Sequence, residues 1–307
     1  MGKNQNIYIL LYYKFTDIEN PEKLAQEHLD FCKKLNLRGK VLLGHEGING
    51  SVSGTKSQTE AYKSKLKSMN EFSDIVFKEE KGISHPFKKM IVKTKNEIIR
   101  LDQEVDIEKR GQYISPEEFL EIYKDKDKME NTIILDARND YESKIGKFKS
   151  AITPEIKTFR EFPKVAEQLK GNEDKNIVMY CTGGIRCEKA SAYLKEKGFN
   201  KVKQLKDGII HFCQEHPNTV WEGSCFVFDK RLTSNINQKE KAITNCEVCK
   251  SPCDLYRNCK NSKCDKLTIL CQECEKKTHG CCSFSCFKIF NNKSKKEESS
   301  PSIISSV

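Results

Sequence analysis

Residues 176–202 read NIVMYCTGGIRCEKASAYLKEKGFNKV, and this stretch decides the fold of the middle of the chain. Its apolar start predicts a buried strand, and the part from about Cys187 to Lys197 predicts a helix, which Gly198 ends. KVKQL at 201–205 predicts the next strand. Strands that alternate with helices are typical of a parallel α/β sheet, whose active sites lie at the carboxyl ends of the strands. Cys181 holds such a position.

The loop that follows this strand favours an ionised cysteine. Two glycines let the backbone curl so that N–H groups point inward, while the helix dipole and Arg186 add positive potential. Such surroundings lower the pKa of a thiol by roughly one to several units. We predict Cys181 and Arg186 as catalytic residues, provided that Cys181 is accessible and ionised. The rest of the loop would form an anion cradle: Thr182, Gly183, Gly184 and Ile185. The alternative is a buried structural cysteine.

Three further residues are expected to support this loop. NTIILDAR at 131–138 predicts a second buried strand that ends in polar residues. Asp136 and Arg138 either orient the loop or form a purely structural ion pair. Cys187, six positions after Cys181, is either a thiol that forms a disulfide with Cys181 after oxidation or a small buried residue. We prefer the buried residue.

The first third of the chain predicts a ferredoxin-like domain, because its elements follow the order βαββαβ with one additional strand. The strands are predicted at 6–14, 39–44, 48–54, 74–79 and 88–94, and the helices at 21–35 and 56–69. The whole chain is then of mixed α/β and α+β class. Its predicted parts are a ferredoxin-like, acylphosphatase-like domain (1–105), a parallel α/β domain (113–220), a connector (221–245), a cysteine-rich module (246–290) and a disordered tail (291–307).

The cysteine-rich module is the second chemical feature of the sequence. The chain has 15 cysteines, of which ten lie within residues 246–286. C-x2-C pairs indicate zinc, since a short turn places two sulfurs on one face of a tetrahedron. Four successive pairs suggest two interleaved sites, with Cys281 as an alternative to Cys282: Cys246, Cys249, Cys271 and Cys274 in one, and Cys259, Cys264, Cys282 and Cys286 in the other. An iron–sulfur cluster, disulfides, or His279 as a replacement ligand are the alternatives.

Composition limits the functional class further. The net charge of +10 is concentrated at the two ends, with +4 in residues 1–105 and +5 in residues 241–307. Basic ends can attract RNA, although the thiolates of two zinc sites would reduce the charge to about +6. A long apolar run, a signal peptide and a flavin or nicotinamide motif were not found, so we expect a cytoplasmic protein without membrane contact. The oligomeric state is not indicated.

Several motifs resemble those of known families. Asp136-Ala137-Arg138 and the loop from Cys181 to Arg186 are similar to the rhodanese domain, and phosphatase relatives have a loop one residue longer. Across the chain the closest similarity is to the oxygen-dependent tRNA uridine-34 hydroxylases. It rests on these segments: VMYCTGGIRCEKASAYLKEKGFNKV (178–202), GHEGING (44–50), FVFDKR (226–231), NCEVCKSPCDLYRNCK (245–260) and GCCSFSC (280–286).

This resemblance implies hydroxylation at C5 of the wobble uridine of tRNA, with O2 as co-substrate and Cys181 as the essential residue. We hypothesise that the Cys181 thiolate adds to C6 of uracil, which makes C5 carbanion-like. The alternative is a Cys181 persulfide. A flipped base could stack on aromatic side chains, for which the candidates are Tyr12, Tyr13, Phe159 and Tyr180. A thiosulfate sulfurtransferase and a non-catalytic, zinc-dependent RNA-binding protein are the other functions considered.

Overall fold

The structure, a computed structural model, describes residues 6–236 and 241–298, with side chains as far as Asn292. The N-terminal domain has the predicted βαββαβ order followed by one more strand. Its elements are β1 (Ile7–Phe15), α1 (Pro21–Lys34), β2 (Arg38–Gly44), β3 (Gly47–Gly54), α2 (Lys56–Lys67), β4 (Val76–Gly82) and β5 (Met90–Thr94). The sheet order is β4-β1-β3-β2-β5, in which β5 runs parallel to β2. The ferredoxin-like prediction is confirmed.

The two faces of β1 have different roles. Side chains alternate along a strand, so Leu10 and Tyr12 are buried beneath the helices of their own domain. The Tyr12 hydroxyl is hydrogen-bonded to that of Tyr62. Leu11 and Tyr13 therefore lie on the opposite face of the sheet, which covers the second domain. This alternation brings the first strand of the chain to the reactive loop.

The central domain is a four-stranded parallel sheet with the order β6-β10-β9-β7. This confirms the parallel α/β prediction, although the strand β6 was not predicted. The helix after the reactive loop begins two residues earlier than expected. The elements are β6 (Gln112–Ile114), α3 (Pro116–Lys124), α4 (Lys126–Glu130), β7 (Thr132–Asp136), α5 (Asp140–Ser143), β8 (Gly146–Phe148), α6 (Phe162–Gln168), β9 (Asn176–Tyr180), α7 (Ile185–Glu196), β10 (Val202–Leu205) and α8 (Gly208–Glu215).

The last part of the chain has short strands and two helices. They are β11 (Trp221–Gly223), β12 (Cys225–Phe226), β13 (Thr233–Ser234), β14 (Tyr256–Asn258), β15 (Leu267–Ile269), α9 (Gln272–Lys277) and α10 (Phe284–Glu298). Strand β11 pairs with β8, so the connector begins as part of the central domain. Helix α10 continues into residues 291–298, which corrects the predicted start of the disordered tail. Residues 299–307 lie outside the described residues.

Buried ion pairs join the N-terminal and central domains. The Lys189 ammonium group on α7 lies 2.8 Å from Glu46 and 2.7 Å from Glu97, and its side chain is buried. Lys78 on β4 pairs with Asp207 at 2.7 Å, again with little exposure. A buried charge that loses its partner is strongly destabilising. These pairs therefore favour one relative position of the two domains. In the described part of the chain, no helix is long and apolar enough to cross a bilayer.

Candidate active site

Cys181 lies directly after β9, where the chain turns into α7. The N–H of Gly184 donates a hydrogen bond to the Cys181 sulfur at 3.1 Å. This turn requires a glycine at position 184, because its φ is +101°. The carbonyl groups of the loop point away from the sulfur and accept hydrogen bonds from N–H groups at the start of α8. The N–H of Ile209, for example, donates to the Cys181 carbonyl oxygen at 3.0 Å. Of the four residues predicted to form the cradle, Gly184 therefore directs its amide at the sulfur.

The Cys181 sulfur has the electrostatic surroundings of a thiolate. Burial alone would raise its pKa. A hydrogen bond from Cys187, the charge of Arg186 and backbone N–H groups at the start of α7 outweigh burial and lower the pKa of Cys181 to about 5. Burial and the neighbouring Cys181 sulfur raise the pKa of Cys187 well above its usual value. Cys187 is thus the buried, protonated thiol that donates the hydrogen bond, and the Cys181 sulfur accepts it in its ionised form.

The same sulfur is covered in this conformation, with Cys181 only 1% exposed. A Cβ atom on Gly183 would lie 2.8 Å from Leu11, and one on Gly184 would lie 2.7 Å from the Tyr13 hydroxyl. Strand β1 therefore sits directly on the loop. The surroundings favour the ionised thiol, but the condition that Cys181 be accessible is not met in this conformation. A substrate can reach the sulfur only if β1 or the loop moves.

Arg186 is held by a carboxylate that the sequence did not single out. Its guanidinium group binds both oxygens of Glu142, at 2.5 and 2.8 Å, and lies 3.4 Å from the Thr182 hydroxyl. Burial alone would lower the pKa of Arg186, but Glu142 raises it well above the usual value. Since Arg186 is committed to Glu142, it acts on Cys181 through charge and loop shape. The sequence signal was the capping position of Glu142 at the start of α5.

Asp136 and Arg138 form a buried pair with each other. Arg138 donates to both oxygens of Asp136, at 2.6 to 3.1 Å, and to the Gly146 carbonyl at 2.7 Å. These contacts join the end of β7 to β8 and include no atom of the reactive loop. Of the two predicted roles, the geometry favours the structural ion pair.

A cavity of about 870 Å³ lies between the N-terminal and central domains. The loop forms one wall through Thr182, Gly183, Ile185 and Arg186, and β1 and the connector contribute Leu11, Tyr13 and Phe228. Of the four predicted stacking residues, Tyr180 is fully buried and does not line the cavity, whereas Tyr12 lines it but is 0% exposed, with its hydroxyl bonded to that of Tyr62. Tyr13 and Phe159 line the cavity, although the Tyr13 hydroxyl is already bonded to Glu188 at 2.7 Å. Its volume is that of a small-molecule site.

The eight predicted metal ligands come together in two groups of four. Cys246, Cys249, Cys271 and Cys274 form one group, and Cys259, Cys264, Cys282 and Cys286 form the other, with all sulfurs in a group within 4.8 Å of one another. Cys281 is buried outside the second group, and His279 stacks on Phe287. The grouping therefore has the predicted pairing. Each group could hold a metal ion.

The spacing of the sulfurs fits a single tetrahedral ion. Cys249 and Cys271 are 3.7 Å apart, Cys259 and Cys286 are 3.6 Å apart, and Cys264 and Cys282 are 3.7 Å apart. A zinc–sulfur bond of about 2.3 Å gives a tetrahedral edge of about 3.8 Å. A cluster of several irons, each bound to a different cysteine, needs sulfurs that lie farther apart. The donor set therefore favours one ion in each group over an iron–sulfur cluster.

Comparison with known families assigns all three parts of the chain. Residues 7–98 match the UPF0176 acylphosphatase-like domain, residues 115–215 the rhodanese-like domain, and residues 222–287 the rhodanese C-terminal family. A rhodanese-related protein from Thermoplasma volcanium is 21% identical and covers 34% of this chain and 93% of its own. Its TM-score is 0.29. The match of residues 115–215 to the rhodanese-like family places the central domain in the rhodanese class.

Two curated relatives extend over nearly the whole length. The tRNA uridine(34) hydroxylase of Staphylococcus haemolyticus strain JCSC1435 is 45% identical over 93% of this chain and 90% of its own. The protein of that name from Staphylococcus aureus strain MSSA476 is also 45% identical, over 94% and 92%. This chain belongs to the tRNA uridine(34) hydroxylase family.

Proposed function

We propose that this protein is an enzyme that hydroxylates C5 of uridine 34, the wobble base of tRNA, with O2 as the source of the oxygen atom. The observation that carries the proposal is a cysteine with a pKa of about 5 beneath an interdomain cavity, in a chain 45% identical to tRNA uridine(34) hydroxylases. A thiolate is a nucleophile at neutral pH, whereas an ordinary thiol is mostly protonated. The sulfurtransferase and non-catalytic alternatives are not favoured by these relatives.

The proposed chemistry begins with addition of the Cys181 sulfur to C6 of uracil. The pair of electrons displaced from the C5–C6 bond makes C5 nucleophilic toward O2. One oxygen atom stays on C5, and the other leaves as water when a dithiol reductant is oxidised to its disulfide, which supplies two electrons and two protons. Loss of the C5 proton then expels Cys181 and restores the aromatic base. The amide of Gly184, 3.1 Å from the sulfur, stabilises the thiolate before addition and after release.

Arg186 is proposed as a positioning residue in this scheme. Its charge lowers the pKa of Cys181, and its double hydrogen bond to Glu142 holds the loop in place. Bidentate pairs of this kind restrict the guanidinium geometry. The substrate base would approach from the cavity side, which requires the contact between Leu11 and Gly183 to open.

The two groups of four cysteines are proposed to bind zinc. Their sulfur spacing fits a tetrahedral ion, and zinc bound by four cysteines is a structural site. The ion would stabilise a module with little apolar core and has no proposed role in the reaction. We also propose a cytoplasmic location, in keeping with a tRNA substrate and a chain that depends on free thiols.

Nucleoside mass spectrometry tests the proposed function. tRNA from cells that lack the gene should lose 5-hydroxyuridine and its derivatives, the wild-type gene should restore them, and Cys181→Ser should not. Purified protein would then be incubated with O2, a thiol reductant and tRNA carrying 5-fluorouridine at position 34. A covalent adduct on Cys181 is expected. Normal product formation by Cys181→Ser would contradict the role of the cysteine.

A further inference from the structure

The connector brings one aromatic ring into the interdomain cavity in an exposed position. Phe228 is 61% exposed and follows the buried pair Phe226 and Val227. One part of its ring faces Arg186, whose Cζ atom lies 5.7 Å from the ring centre. Phe226 supports it edge-on, with ring centres 5.2 Å apart. The ring is therefore positioned by two neighbours while most of its surface remains open.

Asn139 lines the same cavity and carries a polar atom without a partner, which lies just beneath the cavity surface. The residue is only 8% exposed, and its Oδ1 atom has no hydrogen-bond partner among the described residues. Its Nδ2 atom donates to the Tyr141 hydroxyl at 2.8 Å. A buried carbonyl oxygen without a donor is destabilising, so this atom is suited to accept a hydrogen bond from a ligand.

We infer that the cavity is the binding pocket for the flipped base of uridine 34, in which Phe228 stacks on the ring and Asn139 accepts from N3–H. This inference rests on the proposed function and deepens it, because it names the residues that select the base. Uracil has a hydrogen-bond donor at N3, whereas cytosine has an acceptor there. An acceptor at Oδ1 therefore favours uracil over cytosine. Stacking on an aromatic ring tolerates any base. Phe228 therefore contributes affinity for the base, and Asn139 contributes selectivity for uracil.

Neither residue is among the stacking candidates that the sequence suggests. Two of those, Tyr12 and Tyr180, have their rings inside the domain cores. Phe228 instead belongs to the FVFDKR segment at 226–231, whose role the proposed chemistry does not explain. In the proposed complex Phe226 anchors this segment and Phe228 meets the base.

The stacking role of Phe228 is tested by measuring affinity for two RNAs. One is an anticodon stem–loop with uridine at position 34, and the other is the same stem–loop with an abasic site at that position. The proteins are the full chain, Phe228→Leu and Phe228→Tyr. The wild type should prefer the uridine RNA, and Phe228→Leu should weaken that complex about tenfold to a hundredfold while leaving the abasic complex unchanged. Phe228→Tyr retains an aromatic face and should restore the preference. Equal weakening of both RNAs by Phe228→Leu would overturn the stacking role.

Base selection is tested with stem–loops that carry uridine or cytidine at position 34. Asn139→Ser keeps a residue suited to cap α5 but removes the amide oxygen. Its preference for uridine over cytidine should fall by about tenfold. An unchanged preference in a folded variant would overturn the role of Asn139.

Turnover by the wild type is measured in parallel, so that the two failures can be told apart. If the wild type forms no 5-hydroxyuridine, the proposed function is rejected. If the wild type turns over normally and Phe228→Leu binds the uridine RNA as tightly as the wild type does, only this inference is rejected.

Discussion

Cys181 combines burial with ionisation, two properties that normally oppose each other. Removing a thiolate from water raises its pKa, yet Cys187, Arg186 and the backbone N–H groups of α7 together reverse that effect. The arrangement keeps a reactive sulfur ionised while β1 shields it. A covered thiolate is protected from oxidants until the substrate displaces its cover.

Titration of the thiolate checks this balance. The difference in absorbance near 240 nm between the wild type and Cys181→Ser, recorded against pH, should show one ionisation with a midpoint near 5. The thiolate is then present above that pH, and activity that depends on it falls as the pH is lowered through about 5. Cysteines of the metal groups contribute equally to both proteins and cancel. A midpoint between about 8 and 9, the range of a free cysteine, would contradict the proposed surroundings.

Among the elements, β1 has the most direct influence on the reactive loop. Its outward residues touch the two glycines of the loop, so the N-terminal domain covers the site with a strand and not with a flexible lid. The loop can follow this path because Gly183 has no side chain and Gly184 accepts a positive φ. The fit between strand and loop therefore determines how far the sulfur is exposed.

Adding one methyl group tests that fit. In Gly183→Ala the new Cβ would lie 2.8 Å from the Leu11 side chain, and overpacking of this kind destabilises by about 1–3 kcal/mol. Combining it with Leu11→Ala should recover part of the loss, because the smaller side chain removes the collision. Thermal melting and the rate of Cys181 alkylation measure the two effects. Purely additive effects of the two substitutions would show that Leu11 and Gly183 do not meet.

The cysteine groups support a prediction about the C-terminal module. Wild-type protein should contain two zinc ions per chain, and Cys249→Ser should contain one, because it removes a ligand from the first group. Cys253→Ser is the matched control, since Cys253 lies in the same module outside both groups and should leave two ions. Native mass spectrometry counts the ions directly. Loss of zinc from Cys253→Ser, or its retention in Cys249→Ser, would show that the ligands are assigned wrongly.

On the scale of the whole molecule, the site belongs to no single domain. The central domain provides the cysteine loop, the N-terminal domain provides Leu11 and Tyr13, and the connector provides Phe228. Lys189 and Lys78 hold the N-terminal and central domains together through buried pairs. A cavity that forms only between domains allows substrate binding to depend on their relative position.

Binding of tRNA should depend steeply on salt. Both ends of the chain are basic, and contacts of Lys and Arg with phosphates release counterions when the complex forms. Affinity measured by filter binding should fall by at least tenfold between about 50 and 200 mM salt. A neutral stacking effect such as that of Phe228 should change little over this range. A flat response for the whole tRNA would remove electrostatic docking as the basis of binding.

The sequence was sufficient to predict most of the elements, the strand, loop and helix around Cys181, and the grouping of eight cysteines into two sets of four. These features depend on local signals: apolar runs, glycines at a strand end and pairs of cysteines at short spacing. Strand β6 was missed because its three residues are too few to show a period. Glu142 was missed as the partner of Arg186 because the two residues are 44 positions apart.

The tertiary structure alone decided which residues surround the cavity and how far Cys181 is covered. Burial of Tyr12 depends on which face of β1 meets the helices of its own domain, and exposure of Phe228 depends on the path of the connector beyond β12; a tyrosine or phenylalanine is compatible with either environment. The sequence by itself indicated a lowered pKa for Cys181, since the loop amides and Arg186 are close to Cys181 along the chain. Contacts with β1 come from residues about 170 positions away, and only packing of the complete chain brings them onto the loop.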